Sequence, residues 1–232
     1  MSCTHSTRWR AAIVDLDGTM VETLGDFEAA IGAALGEIGL PPVDRAFIAR
    51  TVGKGSRHLL TQTLREVGAA DRIEPLFEPL WQAYQREYLR INGRYSSVYP
   101  GVVEGLAQLR DRGLRLACLT NKPLAFALPL LEAKGLRDCF GPVFGGDSFA
   151  RSKPDPLPML ETCAALGVTP HEALAIGDSA NDAEASGAAG CACVLLSHGY
   201  NHGAPLTGLG ALAILDRLDE IGAVLDRVGP GG

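Results

Sequence analysis

Four short apolar runs punctuate the chain, each ending at a polar or glycine residue: AAIV (11–14), LRLACLT (114–120), ALAIGD (173–178) and CACVLL (191–196). Runs this short, bounded by turn residues, read as strands buried on both faces. Apolar residues at helical spacing lie between the later ones. VVEGLAQLRDRG (102–113) has that spacing and a glycine stop, and PLAFALPLLEAKGL (123–136) is similar. PLPMLETCAALGV (156–168) is helical after its first proline, and NDAEASGAAG (181–190) is a short helix of small residues. Strand then helix, repeated, predicts right-handed βαβ units and a parallel sheet covered on both sides.

Residues 25–93 break that rhythm. DFEAAIGAALGEIGL has helical period and stops before Pro41 and Pro42, and VDRAFIARTVG, SRHLLTQTLREVGAA and IEPLFEPLWQAYQREYLRIN also read as helices. No strand candidate lies among them, and after GRYSSVYPGV the alternation resumes. The expected fold is α/β: a Rossmann-like, doubly wound core from residues 1–23 and 94–232, with a helical domain of residues 24–93 inserted after the first strand. The terminal GPGG is expected to fray.

Open parallel sheets bind ligands beyond the carboxyl ends of their strands. The residues predicted there are Asp15 and Asp17, Thr120 and Asn121, and Asp178, Ser179 and Asp182, with Lys153 on a loop between strand candidates. Each has an ordinary alternative. An Asp-x-Asp-Gly turn is common turn chemistry, TNKP could cap a helix, GDSAND could be a loop with a capping Ser or Asp, and a single lysine is usually a solvated one. The conjunction changes the reading. Several acids at one sheet edge repel one another unless a cation joins them. A hard divalent ion relieves that repulsion, and Mg²⁺ is the usual choice where a phosphate shares the site. Lys153 and backbone N–H groups could then hold phosphate oxygens.

Composition narrows the partners. The chain has 232 residues, 47% apolar and 21% charged, with a formal net charge of −6 and no basic run. Nucleic-acid binding is therefore not expected, because phosphate neutralisation needs clustered Lys and Arg. No stretch is apolar enough to span a bilayer or to act as a signal peptide. The six cysteines form no CxxC pair and read as reduced, mostly buried residues, which points to a cytoplasmic protein.

The motifs together resemble the haloacid dehalogenase superfamily, and within it the phosphoglycolate phosphatases. DLDGT (15–19), Thr120 in LTNKP, Lys153 in KPDP and GDSAND (177–182) match its four motifs in order. TNKP, FGGDS, KPDPLPML, GDSANDAEASGAAGC and GYNHG carry the narrower likeness. The resemblance implies that Asp15 is the nucleophile that becomes an aspartyl-phosphate. Asp17 would protonate the leaving alkoxide and then activate water. Thr120, Asn121 and Lys153 would bind phosphate. Asp15, the backbone carbonyl of Asp17, and Asp178 would hold Mg²⁺, with Asp182 and Ser179 behind them. Glu22 stands where the family usually has Asp. An acid at position 17 favours ester hydrolysis or a mutase over cleavage of C–Cl or C–P bonds.

The helical insertion resembles the superfamily's cap, which closes over substrate. Within TVGKGSRHLL (51–60), Lys54 and Arg57 are either solvated residues of a turn or readers of a far substrate carboxylate. His58 and His171 read as structural or surface residues, and His198 and His202 as a loop more than a metal site. The expected partner is a small phosphorylated metabolite, best matched by 2-phosphoglycolate, and the chain could be a monomer or a homodimer. The alternatives are a sugar-phosphate phosphatase, a pyrophosphatase or a phosphomutase on the same scaffold, and a non-enzymatic scaffold is disfavoured because all four motifs are intact.

Overall fold

The computed structural model describes residues 9–227, so Cys3 and the terminal GPGG lie outside the described residues. The chain opens with β1 (Ala11–Val14), then a two-residue strand β2 (Val21–Glu22) and four helices: α1 (Leu24–Glu37), α2 (Arg45–Thr51), α3 (Ser56–Glu66) and α4 (Ile73–Ile91). A second two-residue strand, β3 (Ser97–Val98), leads back to the alternating part. That part contains α5 (Val102–Asp111), β4 (Arg115–Leu119), α6 (Leu124–Ala133), β5 (Val143–Phe144), α7 (Leu157–Leu166), β6 (Ala173–Gly177), α8 (Ala180–Ala189), β7 (Ala192–Leu196), β8 (Ala213–Leu215) and α9 (Ile221–Arg227).

Six strands form one parallel sheet in the order β5-β4-β1-β6-β7-β8. All four residues of β1 are buried because the strand sits between β4 and β6 and is covered above and below. The side-chain period of two divides its residues between the faces. Ala12 and Val14 join Leu116, Cys118, Leu174 and Ile176 in a cluster closed by α5, α6 and α9. Ala11 and Ile13 join Ala117, Leu119 and Ala175 in another, closed by α7 and α8. The sheet is thus a doubly wound α/β structure, as the repeated strand–helix rhythm predicts.

Two strands of this sheet went unforeseen: β5, only two residues long, and β8, a partly exposed edge strand in the ALAIL run (211–215). Pro75 does not interrupt α4 because it falls in the first turn, where the N–H has no helical partner. The helix also carries Pro79 in its interior.

The helices α1–α4 pack around a third cluster, centred on Phe27, Leu35, Leu60, Tyr84 and Tyr88, which Phe126 and Tyr200 join from the sheet part. The two connections to this bundle are held together. β2 and β3 pair antiparallel, Val21 opposite Val98 and Glu22 opposite Ser97. Just beyond, fully buried Asp26 accepts hydrogen bonds from the backbone N–H groups of Gly93 (2.9 Å) and Tyr95 (2.7 Å).

Candidate active site

The central position of β1 fixes what gathers at the carboxyl edge. Val14 is in register with Cys118 on one side and Ile176 on the other. Asp15, Thr120 and Asp178 therefore emerge side by side, each just past the end of a buried strand. Asp15 donates its N–H to the Ile176 carbonyl, which continues the ladder and aims its side chain at the cavity. Gly18 (φ +82°) lets the chain turn back at once. A Cβ there would strike Asp178 and Tyr200, so the turn is also packed too closely for a side chain.

Carboxylate oxygens of Asp15, Asp178 and Asp182 lie within 4.8 Å of one another. Lys153, 3% exposed, stands among them. Its ammonium lies 2.9 Å from Asp15 Oδ1 and donates to Asp182 Oδ1 (2.7 Å) and the Leu119 carbonyl (2.9 Å). Burial opposes its charge, but Asp15 and Asp182 outweigh burial and hold its pKa above the usual lysine range. Asp182 also accepts from the Ser179 N–H (3.2 Å) and hydroxyl (2.8 Å) at the start of α8. The capping role and the lysine-holding role fall to the same carboxylate.

Asp178 is held by Thr19, whose hydroxyl donates to Oδ1 at 2.8 Å, and by the Tyr200 N–H on Oδ2. Burial raises its pKa well above the ordinary value, and the charges of Asp182 and Asp15 add to that. Burial likewise pushes Asp15 up to about 6, with Lys153 pulling the other way. Apart from its ion pair with Lys153, no described residue donates a hydrogen bond to buried Asp15 Oδ1. A crowded all-oxygen donor set with an unsatisfied oxygen fits a hard divalent cation, which would offset the burial and the mutual repulsion that raise both acids.

Asp17 faces the same cavity and is paired with Lys122, whose Nζ donates to Oδ1 at 2.9 Å and Oδ2 at 3.1 Å. The sequence reading passed over Lys122, although it sits in the same TNKP run as Thr120 and Asn121. It also passed over Thr19, Tyr200 and Asn181. Asn121 lines the cavity, but its amide is committed to the carbonyls of Lys153 (2.8 Å) and Gly53 (2.9 Å). Asn181 donates to that same Gly53 carbonyl at 3.2 Å. The glycine-bearing loop between α2 and α3 is thus latched onto the sheet edge.

Lys54 and Arg57 do not line this cavity. Lys54 borders a separate cleft with Arg50, His58 and His202. Arg57 turns back onto the bundle, its guanidinium 4.6 Å from the Phe77 ring centre and 5.9 Å from that of Trp81. The His198 ring nitrogens face the backbone carbonyls of Asp216 (3.1 Å) and Thr19 (3.3 Å), and His202 Nδ1 faces that of Arg50 (2.8 Å). The described cysteines are free, and no described helix is long and apolar enough to cross a membrane.

Between the acids and the helices, bounded by Phe27, Ser56, Leu59 and Tyr200, the cavity has a volume of about 30 Å³. That is room for about two water molecules.

Comparison with known proteins places this arrangement in a family. Residues 9–190 match the haloacid dehalogenase-like hydrolases. A phosphoglycolate phosphatase of Thiobacillus denitrificans is 37% identical over 218 residues, covering 94% of this chain and 96% of its own. The crystal structure of a predicted phosphoglycolate phosphatase from Haemophilus somnus is similar with a TM-score of 0.88 and 32% identity, covering 94% of this chain and 99% of that one. CbbY from Rhodobacter sphaeroides, solved in complex with phosphate, has a TM-score of 0.78 and 25% identity, covering 94% and 99%. The acids that crown β1 are therefore those of a hydrolase, and the chain belongs to the haloacid dehalogenase-like hydrolase family.

Proposed function

We propose that this chain is a Mg²⁺-dependent phosphomonoester hydrolase whose substrate is 2-phosphoglycolate. The observation that carries the reading is the meeting of Asp15, Asp17, Asp178 and Lys153 around one cavity. The curated relatives named phosphoglycolate phosphatase support the choice of substrate.

Asp15 is the nucleophile. Its carboxylate oxygen attacks phosphorus in line, the bond from phosphorus to the ester oxygen breaks, and an aspartyl-phosphate forms. Asp17 delivers a proton to the departing alkoxide. It then takes a proton from the water that attacks the aspartyl-phosphate, which returns Asp15 and releases phosphate. Lys153 and the Thr120 hydroxyl hold the equatorial phosphoryl oxygens, and Asp182 and Ser179 fix Lys153 and the turn behind it. Asp15, the Asp17 carbonyl and Asp178 would hold Mg²⁺, which supplies charge neutralisation for the incoming phosphate. Helices α1–α4 act as a cap that excludes water while the phosphoryl group is in transit.

A panel of phosphorylated metabolites, assayed with and without Mg²⁺, tests this reading. The expected result is metal-dependent release of phosphate with 2-phosphoglycolate at the head of the panel. Asp15→Asn is expected to reduce turnover by about 10³-fold or more. A clear preference for hexose phosphates would overturn the substrate, and full activity in Asp15→Asn would overturn the mechanism.

A further inference from the structure

Two lysines line the cavity, Lys122 and Lys153. Lys153 donates to Asp182 and the Leu119 carbonyl and is ion-paired with Asp15. What remains of its charge faces Asp15, where the phosphoryl group would enter, and is not free for a second anionic group. Lys122 is differently placed. Among described residues its ammonium donates to one side chain, Asp17. Otherwise it lies over two rings, 4.5 Å from the centre of Phe27 on α1 and 4.6 Å from that of Tyr88 on α4. Its side chain is 1% exposed. Lys122 is thus a buried cation, anchored beside Thr120, at the seam where the sheet edge meets the helical cap.

On the substrate reading above, we infer that Lys122 binds the carboxylate of a small phosphorylated carboxylic acid and sets the preference for it over phosphate esters that lack one. Charge requires such a group. The lining already holds four carboxylates, Asp15, Asp17, Asp178 and Asp182, against two lysines. A substrate bearing one more negative charge than an ordinary monoester needs a cation that phosphate binding has not consumed. The seat for a carboxylate is also visible. The two Asp17 oxygens lie 2.9 and 3.1 Å from Nζ, and a substrate carboxylate can share the ammonium or take over one of these contacts. The Phe27 and Tyr88 faces keep water from the ammonium. An ester that presents a methyl group there adds nothing to the contacts Asp17 already gives the ammonium, whereas a carboxylate gains a charge-assisted one, and that difference is what discriminates. Arg57 does not line the cavity, and its guanidinium lies over Phe77 and Trp81.

The test compares 2-phosphoglycolate with ethyl phosphate, the same skeleton without the carboxylate, in the Mg²⁺-loaded enzyme. In Lys122→Met the ratio of the two kcat/KM values is expected to fall about 10- to 100-fold, chiefly through KM for the acid. Lys122→Arg should recover part of it, and Arg57→Ala should keep the wild-type ratio. Inhibition by 3-phosphonopropionate and propylphosphonate, which are not hydrolysed, should show the same loss of discrimination in binding alone. If Lys122→Met does not fold, Lys122→Gln provides the same comparison. Equal losses on both substrates would overturn the inference, since that is what a lysine serving only to position Asp17 would give. A wild-type enzyme that prefers the acid, with a ratio Lys122→Met leaves intact, overturns the inference alone. A wild-type enzyme with no preference overturns the substrate reading and the inference with it.

Discussion

Thr19 shows how a single side chain can serve the site without touching the reaction. It sits on the turn after β1 and donates to Asp178, 159 positions later, with both groups buried. This bond fixes which way the carboxylate oxygens face. Thr19→Val keeps the shape and removes the donor. We expect the Mg²⁺ concentration for half-maximal activity to rise about 10- to 100-fold, with little change in KM measured at saturating metal. Thr19 lay within the quoted DLDGT motif, yet nothing in the sequence indicates that its partner is Asp178. Asp15, Thr120 and Asp178 were legible because each ends an apolar run, and a parallel sheet aligns such ends. Lys122 was not, because its surroundings come from Phe27 and Tyr88, residues on two helices that only the folded cap brings together. Arg57 attracted attention through its glycine-rich neighbourhood, and in the structure its guanidinium lies over the Phe77 and Trp81 rings of α4, outside the cavity lining.

Among elements, helix α1 depends on the clasp at Asp26. The carboxylate is buried and takes the N–H groups of Gly93 and Tyr95, so it joins the entry and exit of the bundle directly. Asp26→Ala removes the acceptor of two partly buried backbone donors and leaves a hole where a fully buried carboxylate stood. The expected loss is about 3 kcal/mol, seen as a fall in Tm of roughly 6–12 °C for a chain of this size. A fall of only a degree or two would mean that the β2–β3 ribbon holds the junction unaided. Elements with strong periodicity were legible: β1, β4, β6, β7 and the helices of the bundle all fall on the runs that suggested them. β5 and β8 were not: β5 is two partly buried residues without a pattern, and β8 is three residues of a short apolar run behind a Gly-rich turn, and they pair at the sheet edges with β4 and β7.

For the molecule as a whole, the acid cluster stores a cost that the cation should remove. Asp15, shifted from 3.8 to about 6, and Asp178, shifted in the same direction, keep their protons to higher pH folded than unfolded. The folded state therefore binds more protons in that window, and metal-free stability should fall as pH rises from about 4 through about 6. Mg²⁺ competes with those protons, so its stabilising effect should grow over the same range. At a hundredfold excess over its dissociation constant near neutral pH, the gain is about 2.7 kcal/mol, or roughly 5–10 °C in Tm. At pH 5 it should be much smaller, and a chelator should abolish it. A thermal shift independent of pH would argue against carboxylate ligation. The order of the sheet also bears on how the chain is made. Ala11 pairs with Arg115 on one side and Ala173 on the other. During translation, the strand that ends at Asp15 is synthesised before both of its neighbours, and the second arrives only after seven helices and four other strands have left the ribosome. Domains emerging from the N-terminal side tend to fold first. The cap bundle can therefore consolidate early, while the apolar AAIV segment waits exposed and depends on chaperones or on speed to avoid pairing with a neighbouring nascent chain.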